Sequence, residues 1–170
     1  MAQDDIPVAN GNGAAPEEAK AVQLVINAQY VKDLSFENPN APGIFQNPNP
    51  PAIDVQFNIG TAQVGEEVHE VLLKIDVKAE ADGQTAFIVD LTYAGLFGLR
   101  NVPADAIQPF LLGEAPRLLF PFARRVLADC VRDGGFPPLL LEPIDFAQLY
   151  LQQAEQNGNG AFSVGDVGHA

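Results

Sequence analysis

Cysteine is almost absent: Cys130 is the sole one in 170 residues. A lone thiol closes no intrachain bridge, which excludes a secreted fold stapled by disulfides and points to a reducing cytoplasm. Positive charge is also scarce, with 9 lysines and arginines against 22 acids and a formal charge of −13. Without a basic patch to neutralise phosphates or anionic headgroups, nucleic acid and membrane surfaces are excluded as partners. Acidity of this size aids solubility and also suits a basic protein partner. No run approaches the roughly 20 apolar residues needed to span a bilayer. The first residues, MAQDDIPVANG, lack the basic and apolar regions of a secretory signal.

Catalytic groups are equally sparse. His69 and His169 are far apart, and with one cysteine they form no zinc set of ordinary spacing. Ser35 and Ser163 are the only serines, and neither sits in a nucleophile elbow. The Gly–Asn repeats near both ends follow no strand and open no helix, so no phosphate loop is present. Glu66, Glu67 and Glu70 read as a solvated strand end more readily than as a metal or acid pair. A binding protein, with no cofactor or metal, is favoured over an enzyme.

What the chain does contain is alternation. In Thr85–Phe97, Phe87, Val89, Leu91 and Tyr93 fall on one face of a strand and Ile88, Asp90 and Thr92 on the other. The first face must be covered, since each large side chain left in water forgoes about 1.5–3 kcal/mol. Leu24–Val31 alternates as a first strand, Ile53–Ile59 as a second and Val71–Lys78 as a third, with Asp82-Gly83 a hairpin turn into the fourth. Between the first two strands, Glu37–Pro51 holds five prolines and can be neither helix nor central strand. Ile44 and Phe45 in its middle are apolar residues that must dock on the domain or on a ligand.

After Gly98 the period changes. Ala104–Leu112 predicts a short helix and Glu114–Asp133 the main one, with Pro116 in its first turn, Pro121 bending it and Gly134-Gly135 ending it. Leu118, Phe122, Val126 and Val131 lie near one side of that helix, while Arg124, Arg125 and Asp129 need water or partners. Phe136–Pro143 is an extended apolar link, and Asp145 can cap a last helix bearing Phe146, Leu149 and Tyr150. Residues 1–20 and 156–170 read as flexible tails around one domain at 21–155.

Three stretches together carry a resemblance. YVKDLSFENPNAPGIF (Tyr30–Phe45), TAFIVDLTYAGLF and the segment from Leu118 to Gln153, including LFPFARR, are similar to the bacterial protein-export chaperone SecB. The resemblance implies an α+β fold: a four-stranded antiparallel sheet, a long Pro-rich crossover after strand 1, helices on one face, and assembly as a homotetramer, a dimer of dimers. It implies an ATP-independent chaperone that holds precursor proteins unfolded and passes them to the export ATPase SecA. Carried over by position, the SecA-contacting residues are Asp33, Glu37, Ile88 and Asp90, and the tetramer positions are Phe87, Val89, Leu91 and Tyr93. Clients map to Ile44, Phe45, Ile53, Val55 and Phe57, although for Ile53, Val55 and Phe57 plain core packing is an equal alternative. The competing reading is an acidic scaffold of the same fold that binds one folded partner without general holding activity.

Overall fold

The computed structural model describes residues 19–157 and 162–164. Four long strands carry the fold: β1 (Gln23–Glu37), β2 (Ala52–Gly65), β3 (Val68–Ala81) and β4 (Gln84–Arg100). All pair antiparallel in the order β1-β4-β3-β2, and a short β5 (Phe162–Val164) lies on the outer edge of β2. β2, β3 and β4 form a meander, so the chain leaving β1 must cross two strands to begin β2, and the Pro-rich segment makes that crossing. The β3–β4 hairpin closes on Asp82 (φ 50°) and Gly83 (φ 75°). Both lie in the left-handed region that a tight primed turn demands.

Residues 1–18 of the expected N-terminal tail lie outside the described residues. Of the expected C-terminal tail, residues 158–161 and 165–170 also lie outside the described residues, 156–157 close the last helix, and 162–164 form β5, a stretch too short for periodicity to reveal. The expected helices appear as α1 (Ala104–Pro109), a π-helical turn (Phe110–Glu114), α2 (Ala115–Asp133) and α3 (Phe146–Asn157). Asp145 Oδ1 accepts the Gln148 N–H at 2.9 Å, the capping bond its position suggested. α2 continues through Pro121 and ends where Gly135 turns left-handed at φ 92°, with the Phe136 N–H closing back on the Val131 carbonyl.

One face of the sheet is covered. Val55, Phe57, Ile59, Val71, Leu73, Ile75, Val77, Val89 and Leu91 point to that side and are buried against α2 and α3. α2 buries Leu119, Phe120, Ala123, Leu127 and Val131. Of the side expected from sequence, Val131 alone is buried; Leu118, Phe122 and Val126 turn partly or largely outward. The helix carries two adjacent apolar rows, and periodicity alone does not say which one the sheet takes. Arg124 and Arg125 find the partners they need, the Leu141 carbonyl and Asp129. Gly95 permits the close approach of α2: a Cβ there would stand 2.8 Å from Leu119 Cδ2.

Candidate functional site

The sheet face turned away from α2 is uncovered by any described element. The β1–β4 register sets Glu37 opposite Ile88, Ser35 opposite Asp90 and Asp33 opposite Thr92. Directly opposed residues point to the same side, so Asp33, Glu37, Ile88 and Asp90 share this face, as the sequence alternation suggested. Asp33 and Glu37 are exposed, while Ile88 and Asp90 are half-buried. β3 adds Lys78 opposite Ile88, Asp76 opposite Asp90 and Lys74 opposite Thr92. The result is an acidic rim around one isoleucine, with lysines on its β3 side.

Three groups on this face are electrostatically marked. Partial burial raises the Asp76 carboxyl above the usual aspartate range, and the hydrogen bond and charge of Asp90 push it the same way against the pull of Lys74. Lys74 Nζ stands 3.4 Å from Asp76 Oδ1 without making a hydrogen bond to that oxygen. Further along, Glu70 accepts from Lys32 Nζ at 2.8 and 3.0 Å and from Tyr30 Oη at 2.6 Å. The Lys32 contact first, then Tyr30, holds the Glu70 carboxyl below its ordinary range. Hydrogen bonding to Glu70 pushes Tyr30 up to about 12. Glu70 is therefore tied within the chain, whereas Asp33, Glu37 and Asp90 make no ion pair among the described residues and Asp76 has the single 3.4 Å contact with Lys74. Among the described residues, no cluster of histidine, cysteine and acids has the arrangement of a metal site.

The crossover is strapped to its own domain. Asn38 Nδ2 donates to the Gly134 carbonyl and Asn40 Nδ2 to the Thr85 carbonyl, while Asn47 and Asn49 donate to Asp82. A single 3₁₀ turn at Gly43–Gln46 interrupts what composition suggested would be fully irregular. It drives Ile44 into the core at 5% exposure and leaves Phe45 at 49%. Phe45 packs on Phe136 at 5.3 Å, Phe136 on Phe87 at 4.9 Å, and Phe87 stacks on Phe36 at 6.1 Å. A row of aromatics thus runs from the sheet to the surface.

The client positions divide accordingly. Val55 and Phe57 are core residues, with Phe57 set against Phe120 and Phe146 at 6.2 Å each. β2's alternation turns Val55 and Phe57 toward the helices, and the 3₁₀ turn buries Ile44 beside them. Phe45 and the half-buried Ile53 remain accessible. Beside the aromatic row, Leu34, Phe36, Val126, Asp129, Cys130 and Gly134 line an open groove of about 570 Å³. Gly134 leaves room for Phe36, whose ring a Cβ would strike at 2.1 Å. Sequence reasoning missed this groove; the outward apolar row on α2 was the signal for it.

Phe87, Val89, Leu91 and Tyr93 are likewise buried in the chain's own core, with Tyr93 keeping 8% exposure. Uncovered apolar residues instead occupy β1, where Leu24, Ile26, Val31 and Leu34 flank α2, and α2 itself, at Phe122.

A model of the family described as preprotein translocase subunit SecB matches residues 17–157. The protein-export protein SecB of Rhizorhabdus wittichii is 68% identical over 134 residues, covering 79% of this chain and 81% of that protein. Its counterpart in Zymomonas mobilis is 60% identical over 147 residues, covering 86% and 90%. Among solved structures, the Mycobacterium tuberculosis SecB-like chaperone, in complex with a ChAD peptide from the HigA1 antitoxin, superposes with a TM-score of 0.61 at 16% identity. That superposition covers 71% of this chain and 90% of the other, and it shows the shared fold.

Proposed function

The chain belongs to the SecB family of protein-export chaperones, and from that premise we propose that it holds newly made precursors unfolded in the cytoplasm, without nucleotide, and delivers them to SecA. The observation that carries the delivery step is the register that gathers Asp33, Glu37, Ile88 and Asp90 on one open sheet face. A flat apolar spot rimmed by carboxylates suits a basic, partly apolar partner surface. Holding is supported by the exposed end of the aromatic row at Phe45, by Ile53 and by the adjacent groove. Apolar surfaces of this kind discriminate weakly between side chains, since one methylene contributes only about 0.8 kcal/mol. Clients are then selected by being unfolded.

The working form is a homotetramer, a dimer of dimers. Its support is the uncovered apolar row of β1 together with Phe122 of α2, a larger contiguous patch than scattered surface leucines make. Phe87, Val89, Leu91 and Tyr93 contribute indirectly, by seating α2.

Calorimetric titration of SecA tests the docking face. Asp90→Asn and Glu37→Gln should each weaken binding by about two- to fivefold, as expected for charges at a solvent-facing sheet surface contributing up to about 1 kcal/mol. The loss should shrink as salt rises toward a screening length of about 8 Å. Assembly mass and client holding should be unchanged. Wild-type affinity for both variants at every salt concentration would move the docking site elsewhere.

A further inference from the structure

The two edges of the sheet are guarded differently. β1 carries Lys32, Asp33 and Glu37 and two register shifts, between Ile26 and Ala28 and between Val31 and Asp33. Charges and bulges of this kind discourage another strand from adding to an edge. β2 has neither along most of its length. In Ala52–Gly65 the one charge is Asp54, there is no proline, and the single irregularity lies at the far end, between Gln63 and Gly65. On the side away from β3, among the described residues, Phe57, Asn58 and Ile59 alone are paired, to Val164, Ser163 and Phe162 of β5. Among the described residues, this short stretch of the chain's own C-terminal region is what occupies the edge.

Backbone pairing at an edge is indifferent to side-chain sequence and demands an extended partner. Phe, Ser and Val carry no charge, and two of the three are strong strand formers. The three described residues make few hydrogen bonds, so covalent attachment, which gives the segment a high effective concentration, is what favours its place at the edge. A longer extended chain offering more backbone to the same edge outcompetes it.

We propose that β5 is a resident competitor for the β2 edge: extended client segments displace Phe162–Val164 to pair with β2, and return of β5 favours their release. This rests on the reading that clients are unfolded chains. It adds that the C-terminal segment regulates their access.

The test compares full-length chain with the double variant Phe162→Pro/Ser163→Pro. Successive N–H groups of a strand point to opposite edges, so one of the two prolines must remove a possible bond to β2. The probe is a labelled polypeptide kept unfolded by reduction and alkylation of its cysteines, followed by anisotropy. If β5 occupies the edge for about 70–90% of the time, freeing it should tighten client binding about three- to tenfold. Amide exchange at Phe57–Ile59 should quicken in the variant without client and slow again when client is added. Equal or weaker client affinity in the variant overturns the inference, as does client binding that leaves exchange at Phe57–Ile59 unchanged. Failure of both chains to bind the alkylated polypeptide overturns the holding function itself, and this inference with it.

Discussion

Asp76 and Asp90 face each other across β3 and β4, an arrangement that like charges make unfavourable. The upward shift of Asp76 means that its ionised form opposes folding. With the folded-state pKa above the ordinary aspartate value of 3.8, that penalty is present at neutral pH and fades as pH falls through the raised value. Asp76→Asn should therefore raise the midpoint of urea unfolding at pH 7, with the gain disappearing below pH 3.8. Unfolding midpoints that match wild type across the pH range would show that the pair is not strained. Glu70 has the opposite sign: Lys32 and Tyr30 make its ionised form stabilising, and that contribution is lost as acid protonates it. At this scale the open face was half legible. Alternation put Ile88 beside Asp90, but the juxtaposition with Asp76 depends on a register shift between Ala79 and Glu80. Counting back from the Asp82-Gly83 turn without that shift would pair Asp76 with Val89. The shift leaves Ala86 and Phe87, neighbours in sequence, both buried, and no local pattern announces it.

Among the elements, the strands were the most legible, because the period of two is sustained over many residues in β2, β3 and β4. The helical layer was less so. α2 offers one apolar row at Leu119, Ala123 and Leu127 and another at Leu118, Phe122 and Val126, and the choice between them is made by the sheet. Gly95 is where that choice is enforced, since the backbone of β4 comes close beneath Leu119. Gly95→Val should cost about 1–3 kcal/mol in equilibrium denaturation, the usual penalty for forcing atoms into a packed core. A variant as stable as wild type would mean that α2 can lift without loss. The crossover shows the same division. Proline content identified it, but the 3₁₀ turn that sends Ile44 inward and Phe45 outward follows from contacts distant in sequence, with Thr85, Asp82 and Gly134.

At the scale of the molecule, one subunit presents three kinds of surface: an acidic sheet face, an aromatic groove beside the crossover, and an uncovered apolar row along β1 and α2. Each suits a different partner, so holding and delivery need not compete for the same residues. Among the described residues, no helix is long and apolar enough to cross a membrane. The most direct measurement of the holding function is the refolding rate of a slow-folding precursor, diluted from denaturant with and without a molar excess of this protein. The expected result is arrested refolding when the protein is present at dilution, with no binding once the precursor has reached its native state. Refolding at an unchanged rate, or equal affinity for the native and unfolded precursor, would contradict it.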